Sequence, residues 1–205
     1  MYVPAHFAQD DPALLLEVMR QESFATLVST VDGVPFATHL PVLARRDGDT
    51  MRIEGHFARA NPHWKGLEKD AVALVIFHGP HAYISPTLYN SPERVPTWNY
   101  VAVHATGRVT LDHGRDGKLG MLSRLVAHHE PSYQAQFDAI GSGMVDGLLQ
   151  AIVAFDMEVD RLEGKFKLGQ HRLTGDKPEM RSWLEQGGED QRALAGWMKR
   201  LGYWE

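Results

Sequence analysis

Between residues 24 and 110 the chain is a succession of apolar, β-branched runs broken by turn residues, and this pattern limits its fold more than any other feature. Residues 24–30 and 34–44 flank Asp32-Gly33, a dipeptide suited to a two-residue hairpin turn because both positions can take positive φ. Residues 46–49 (Arg-Asp-Gly-Asp) read as the next turn and residues 51–56 as the next strand. Residues 71–77 are apolar throughout with β-branched residues in their middle, and Gly79-Pro80 reads as their stop. That run predicts a strand buried on both faces. Residues 82–85 and 97–109 bring the count to six strands, with a bulge expected at Gly107. Mostly short connections and a single intervening helix predict an antiparallel barrel or sandwich.

The flanks are more helical. Asp11-Pro12 followed by Leu14, Leu15, Val18 and Met19 is a helix start with an apolar stripe. Leu119, Leu122, Leu125 and Val126 predict a helix that ends before Pro131, and Gly141-Ser142-Gly143 is a break. Val153, Phe155, Met157 and Val159 alternate with acidic residues, a half-buried strand returning to the sheet. Residues 178–184 and 190–204 predict two terminal helices. The last carries Leu194, Trp197, Met198, Leu201 and Trp204 on one face, a stripe suited to core packing or to covering a dimer surface. A single domain over residues 1–205 is expected, with its core at about 20–172 and a helical extension at about 177–204.

Of the 205 residues 43% are hydrophobic, enough for a proper core, and no run of 18 or more apolar residues predicts a membrane span. The chain has no cysteine, which excludes disulfides, thiolate metal sites and cysteine nucleophiles. With an N-terminus unlike a signal peptide, this gives a cytoplasmic expectation. A net charge of −5 argues against broad nucleic-acid binding, which relies on Lys and Arg to neutralise phosphates. Eleven histidines occur without metal-ligand spacing, so no metal site is assigned.

No catalytic residue is assigned either. Ser85 lacks the glycine elbow of an exposed nucleophile, no pair of carboxylates stands out, and both glycine-rich nucleotide loops are missing. What remains are polar and aromatic residues at strand ends. In residues 55–67, Arg59, Asn61 and Pro62 follow a predicted strand where a short helix begins, a plausible seat for a phosphate. Thr38-His39-Leu40-Pro41 lies within a predicted strand. Thr97-Trp98-Asn99-Tyr100 opens the long strand after a proline-rich loop, and residues 165–172 are the most basic segment. Each has an ordinary structural explanation alone; together they offer the cations, amides, hydroxyls and aromatic faces that a planar phosphorylated cofactor needs.

These segments resemble the PaiB-type proteins, FMN-binding negative transcriptional regulators. The likeness lies in Met1-Tyr2-x-Pro4-x-His6-Phe7, His39-Leu40-Pro41, residues 56–62 and Gly79-Pro80-x-Ala82-Tyr83-Ile84-Ser85-Pro86. It continues in residues 95–100 and Lys165-x-Lys167-Leu168-x-Gln170. It departs at His171, where an asparagine is expected, and at Leu88, where a tryptophan is expected. The resemblance implies an α+β, mainly β fold: a six-stranded antiparallel split barrel with peripheral and C-terminal helices. It further implies a homodimer with FMN at the subunit interface. In that reading Arg59 and Asn61 hold the FMN phosphate, and Thr38, His39 and Leu40 lie along the isoalloxazine. Thr97, Trp98 and Asn99 reach its polar edge or ribityl chain, and Lys167 and Gln170 come from the C-terminal part.

Function then divides three ways. The resemblance implies a flavin-dependent redox sensor or regulator. A flavin reductase or oxidoreductase is the alternative, and a haem protein using His39, His56 or His104 is a weaker one. The family label also implies DNA binding, against which stand the negative charge and the missing helix-turn-helix pattern.

Overall fold

Asp32 and Gly33 adopt φ of 50° and 81°. They close the hairpin between β2 (Phe24–Val31) and β3 (Val34–Asp47), with Val31 opposite Val34. The computed structural model describes residues 1–69, 71–91 and 94–204. Before this hairpin come β1 (Ala8–Gln9) and α1 (Pro12–Gln21), the latter opened by Asp11, whose Oδ1 accepts the Ala13 N–H at 2.8 Å. After it follow β4 (Thr50–Ala58), α2 (His63–Lys69), β5 (Val72–Ile84) and β6 (Thr97–Asp112). Then come α3 (Arg115–His129), α4 (Gln134–Asp138), α5 (Ser142–Gln150), β7 (Ile152–Lys167), α6 (Lys177–Glu185) and α7 (Glu189–Arg200).

The sheet order is β1-β7-β4-β3-β2-β5-β6, and β7 also pairs with β6. β2 to β7 therefore close a six-stranded ring, the split barrel, and the two-residue β1 adds a seventh strand beside β7. The membership of the ring differs from the expectation. Residues 71–77 and 82–85 form one strand, because β5 runs on through Gly79 and Pro80, and the returning β7 is the sixth member. At Gly79 an added Cβ would lie 3.0 Å from the Val101 carbonyl oxygen, so this glycine serves close approach to β6 and does not stop the strand. Gly107 likewise sits within β6 where an added Cβ would lie 1.9 Å from the Glu158 carbonyl oxygen of β7.

The chain divides into two compact units. The barrel unit, Leu16–Phe77 with His104–Leu162, holds the β2–β3, β3–β4 and β4–β7 ladders around a core that includes Leu27, Ile53, Phe57, Val75, Phe77, Phe155 and Met157. Met121 and Leu125 of α3 pack on Leu43 and Ala154. Beside them the buried Glu54 accepts both Nε and Nη2 of Arg124, at 2.7 and 2.6 Å, and this bidentate pair ties α3 to β4.

The second unit comprises Met1–Leu15, His78–Val103 and Glu163–Glu205. Here β1 lies on the end of β7, with Ala8 opposite Lys165. Met180 and Leu184 of α6 and Leu194 and Met198 of α7 are buried, and Trp197 meets Phe166 edge-on with centroids 5.2 Å apart. The stripe on the last helix is thus largely core of its own unit. Asp176 is fully buried and accepts the Ser91 N–H and Oγ–H at 2.9 and 2.7 Å, with Arg94 3.3 Å away. These contacts anchor the proline-rich segment before β6.

Candidate functional site

In the barrel unit a chain of hydrogen bonds joins β2, β3 and the turn from β4 into α2. Asn61 opens the turn: its Oδ1 accepts the His63 N–H at 3.0 Å, the local capping bond that asparagine favours before a helix. Its Nδ2 donates to Thr38 Oγ1 at 3.0 Å. Thr38 Oγ1 lies 2.8 Å from His63 Nδ1, and Ser29 Oγ lies 2.8 Å from His63 Nε2. One proton arrangement satisfies every member of the chain: Thr38 accepts from Asn61 and gives its hydroxyl proton to Nδ1, and Nε2 carries the imidazole proton and donates to Ser29. His63 has no exposed surface and packs against Phe36 and Phe57, with ring centroids 4.8 and 5.4 Å away. Burial holds its pKa below the usual histidine value, as the neutral tautomer requires.

Thr38 and Asn61 are thus brought together. His39, next on β3, points to the other face and is exposed, its Nδ1 2.9 Å from Thr26 Oγ1. Leu40 is buried. Arg59 takes a different place from Asn61, although only two residues separate them. Its Nε donates to the Gln150 carbonyl at 2.6 Å and its Nη2 to the Ile152 carbonyl at 3.1 Å, while its backbone N–H donates to Ala151 at 2.7 Å. Lys118, almost fully buried, donates to the Leu149 carbonyl at 3.0 Å. The two cations therefore sit at the C-terminal end of α5, the negative pole of a helix. Burial and the neighbouring Arg59 charge lower the Lys118 pKa. Arg59 keeps Nη1 as the nitrogen through which it would meet an anion.

Thr97, Trp98, Asn99, Lys167 and Gln170 belong to the second unit. Lys167 Nζ donates to Thr97 Oγ1 at 2.6 Å. Trp98 is half exposed; with Tyr83, Trp183 and His81 it lines a cavity of about 480 Å³. Asn99 is buried with its amide 3.9 Å from Met180 Sδ. Gln170 is turned onto its own loop: its Oε1 accepts the Leu168 N–H at 2.8 Å and its Nε2 donates to the Phe166 carbonyl at 2.5 Å. Of this group the structure joins Thr97 with Lys167, and it gives Asn99 and Gln170 local packing and turn contacts.

Sequence reasoning missed His63 and Ser29. His63 is the centre of the network. Its signal was available in Asn61-Pro62-His63, since a capping asparagine directs the next turn of chain inward. Ser29 gave no signal, because a serine in an apolar strand run looks like any outward residue. Of the histidines considered as haem ligands, His39 is held by Thr26, and burial lowers the pKa of His56, whose Nδ1 is buried without a partner among the described residues.

A family model described as "Putative FMN-binding domain" matches residues 1–161. The chain is 36% identical over 179 residues to the Protease synthase and sporulation protein PAI 2 of Bacillus subtilis, an alignment covering 86% of this chain and 85% of that protein. Two solved structures share the fold. The flavocytochrome Anf3 from Azotobacter vinelandii matches with a TM-score of 0.64 and 17% identity, over 80% of this chain and 72% of that one. The FAD and heme binding protein from Mycobacterium smegmatis matches with a TM-score of 0.62 and 19% identity, over 78% and 73%. At such identities these two likenesses concern the fold alone.

Proposed function

Because the chain belongs to the FMN-binding domain family of PAI 2, we propose that it holds FMN in the barrel unit, where β3 meets the turn from β4 into α2. The observation that carries this reading is the Ser29–His63–Thr38–Asn61 chain. It fixes a hydroxyl and an amide in defined orientations around a neutral buried imidazole, which is how a rigid first layer of binding groups is built. Thr38, His39 and Leu40 supply a polar and apolar strip for the isoalloxazine, and Asn61 and Arg59 meet the ribityl–phosphate end. The polar set fits: the second Asn61 amide N–H, a Thr38 hydroxyl lone pair and the Arg59 guanidinium N–H groups not given to the Gln150 and Ile152 carbonyls suit a phosphorylated, hydrogen-bonding planar group. The buried His56 Nδ1 is one further atom in this unit that lacks a partner among the described residues.

Bound FMN supplies one- or two-electron chemistry. The residues' share is to orient it and to hold a proton: neutral His63, through Thr38, keeps the site's hydroxyl proton directed inward. We read the protein as a flavin-dependent redox sensor or regulator, a cytoplasmic homodimer with flavin at the subunit interface. Support for a partner surface comes from Phe24 and Val34, which are 72% and 64% exposed in the β2–β3 hairpin. Among the described residues no helix is long and apolar enough to cross a membrane.

The test is the absorption spectrum of the purified protein with a titration of FMN. Flavin bands and saturable binding are expected, and Asn61→Ala weakens that binding by about 1 kcal/mol, roughly fivefold. A Soret band, or no flavin binding, overturns the reading.

A further inference from the structure

The second unit holds a cavity walled by aromatic rings and edged by carboxylates. Residues two apart on a strand share a side, so His81 and Tyr83 of β5 stand on the exposed face while Ala82 and Ile84 are buried. Trp98 does the same on the neighbouring β6, with Asn99 turned inward. Tyr83 and Trp98 are 47% and 51% exposed, a large apolar area to leave bare in one place. Their rings stand at 73° to each other with centroids 6.0 Å apart, two walls of a corner, and the His81 ring lies 6.1 Å from Trp98. Trp183 of α6 and the first turn of α7 complete the cavity of about 480 Å³, a volume in the range of small-molecule sites.

The loop before α7 sets the acids at this cavity. At Gly187 an added Cβ would lie 2.5 Å from Gln191 Cδ, so glycine lets Gln191 fold back, where its Oε1 accepts the Gly188 N–H. Glu189 and Asp190 then open the helix and line the cavity. The positive pole of α7 explains acids in its first turn. It does not explain three aromatic rings and a histidine gathered opposite them. Among the described residues no Lys or Arg lines the cavity or pairs with Glu189 or Asp190; Asp190 Oδ2 has only His81 Nδ1, 3.9 Å away. Arg192, the next cation on α7, donates to the Gly187 carbonyl. Aromatic faces carry negative potential, so rings and carboxylates alike present negative surface to one space.

We propose that this cavity binds a small organic cation of the alkylated-ammonium class. Tyr83 and Trp98 face its charged alkyl groups, and Glu189 and Asp190 balance its charge. Such an ion spreads its charge over methyl groups, gives up little hydration and needs ring faces more than oxygen acceptors. A phosphate-bearing flavin would meet both carboxylates with no cation to offset them, so the inference is independent of the flavin reading of the barrel unit.

Titration of the full-length protein with choline and with its uncharged isostere, in which carbon replaces nitrogen, tests the proposal. Choline binds saturably, its N-methyl proton signal moves upfield in the ring currents, and the isostere binds about tenfold more weakly. Trp98→Leu weakens choline binding by about tenfold. Trp98→Phe keeps a ring and recovers most of that loss, and it covers the case in which the leucine variant fails to fold. The pair Glu189→Gln and Asp190→Asn together weaken binding by about fivefold and flatten its salt dependence. A peptide bearing trimethyllysine separates two sources of the same cation: tighter binding than choline identifies a protein side chain, and equal or weaker binding a free metabolite. Equal affinity for choline and its isostere, unchanged affinity in Trp98→Leu, or no saturable binding overturns the proposal. So does displacement of choline by FMN, because the cavity then belongs to the flavin.

Discussion

Thr38→Val is the most informative single change in the barrel unit. Valine matches threonine in shape but has no hydroxyl, so packing is nearly kept while two hydrogen bonds go. Asn61 Nδ2 loses its acceptor at 3.0 Å, and His63 Nδ1 loses its donor at 2.8 Å. His63 is fully buried and cannot turn to water, so its bare nitrogen carries a desolvation cost of about 1–3 kcal/mol. Asn61 is half-buried, and water recovers part of its loss, so its contribution stays near 0.5–1 kcal/mol. The sum is about 1.5–4 kcal/mol. Ser29→Ala removes one acceptor from the same ring and should cost less, about 1–2 kcal/mol. Urea unfolding followed by circular dichroism gives both values, and an unchanged m-value confirms that stability alone moved. Nitrogen NMR of the imidazole adds an independent readout: in wild type the proton sits on Nε2, and in Thr38→Val the preference weakens. If Thr38→Val costs less than Ser29→Ala, or if wild-type His63 carries its proton on Nδ1, the proposed order of donors is wrong and the site loses its fixed hydroxyl.

Two further outcomes are expected. Burial depresses the pKa values of His56, His63 and His171 in the folded protein. As pH falls, the unfolded chain therefore takes up protons first, near the usual histidine value of about 6.5. Their contribution to stability is fully present above that pH and is lost progressively below it; the urea midpoint should be lower at pH 5.5 than at 7.5, and a higher midpoint at pH 5.5 refutes the assignment. Gly107→Ala places a methyl 1.9 Å from the Glu158 carbonyl and must push β6 from β7. A loss of about 1–3 kcal/mol or more is expected, read as a melting temperature lower by several degrees; a variant that melts like wild type would mean the two strands are not in this register.

Much of the barrel was legible because its signals are local. Asp32-Gly33 can turn only in a few ways, and the alternation from Val153 to Val159 declares a strand with one wet face whatever it pairs with. The misread strand break at Gly79-Pro80 has a local cause as well. Both residues usually interrupt a strand, and only the nearness of Val101 explains why a glycine is needed inside one. The site was half legible for the same reason. Asn61 declared itself by preceding a proline at a helix start, and Arg59 drew attention as the lone cation beside it. Nothing near Arg59 in sequence reveals that residues 150–152, some 90 positions later, present their carbonyls to its guanidinium.

By itself, then, the sequence determined the kinds of element, their order, the hairpin register and the family to which the chain belongs, because propensity, turn chemistry and motif are carried by neighbouring residues. Tertiary structure alone decided which polar groups meet. It made His63 a neutral hub between Ser29 and Thr38, set Arg59 and Lys118 at the end of α5, and left Lys167 and Arg172 over aromatic rings. Burial and hydrogen-bond partnership arise between residues far apart in the chain, and the charge state of a buried group depends on both.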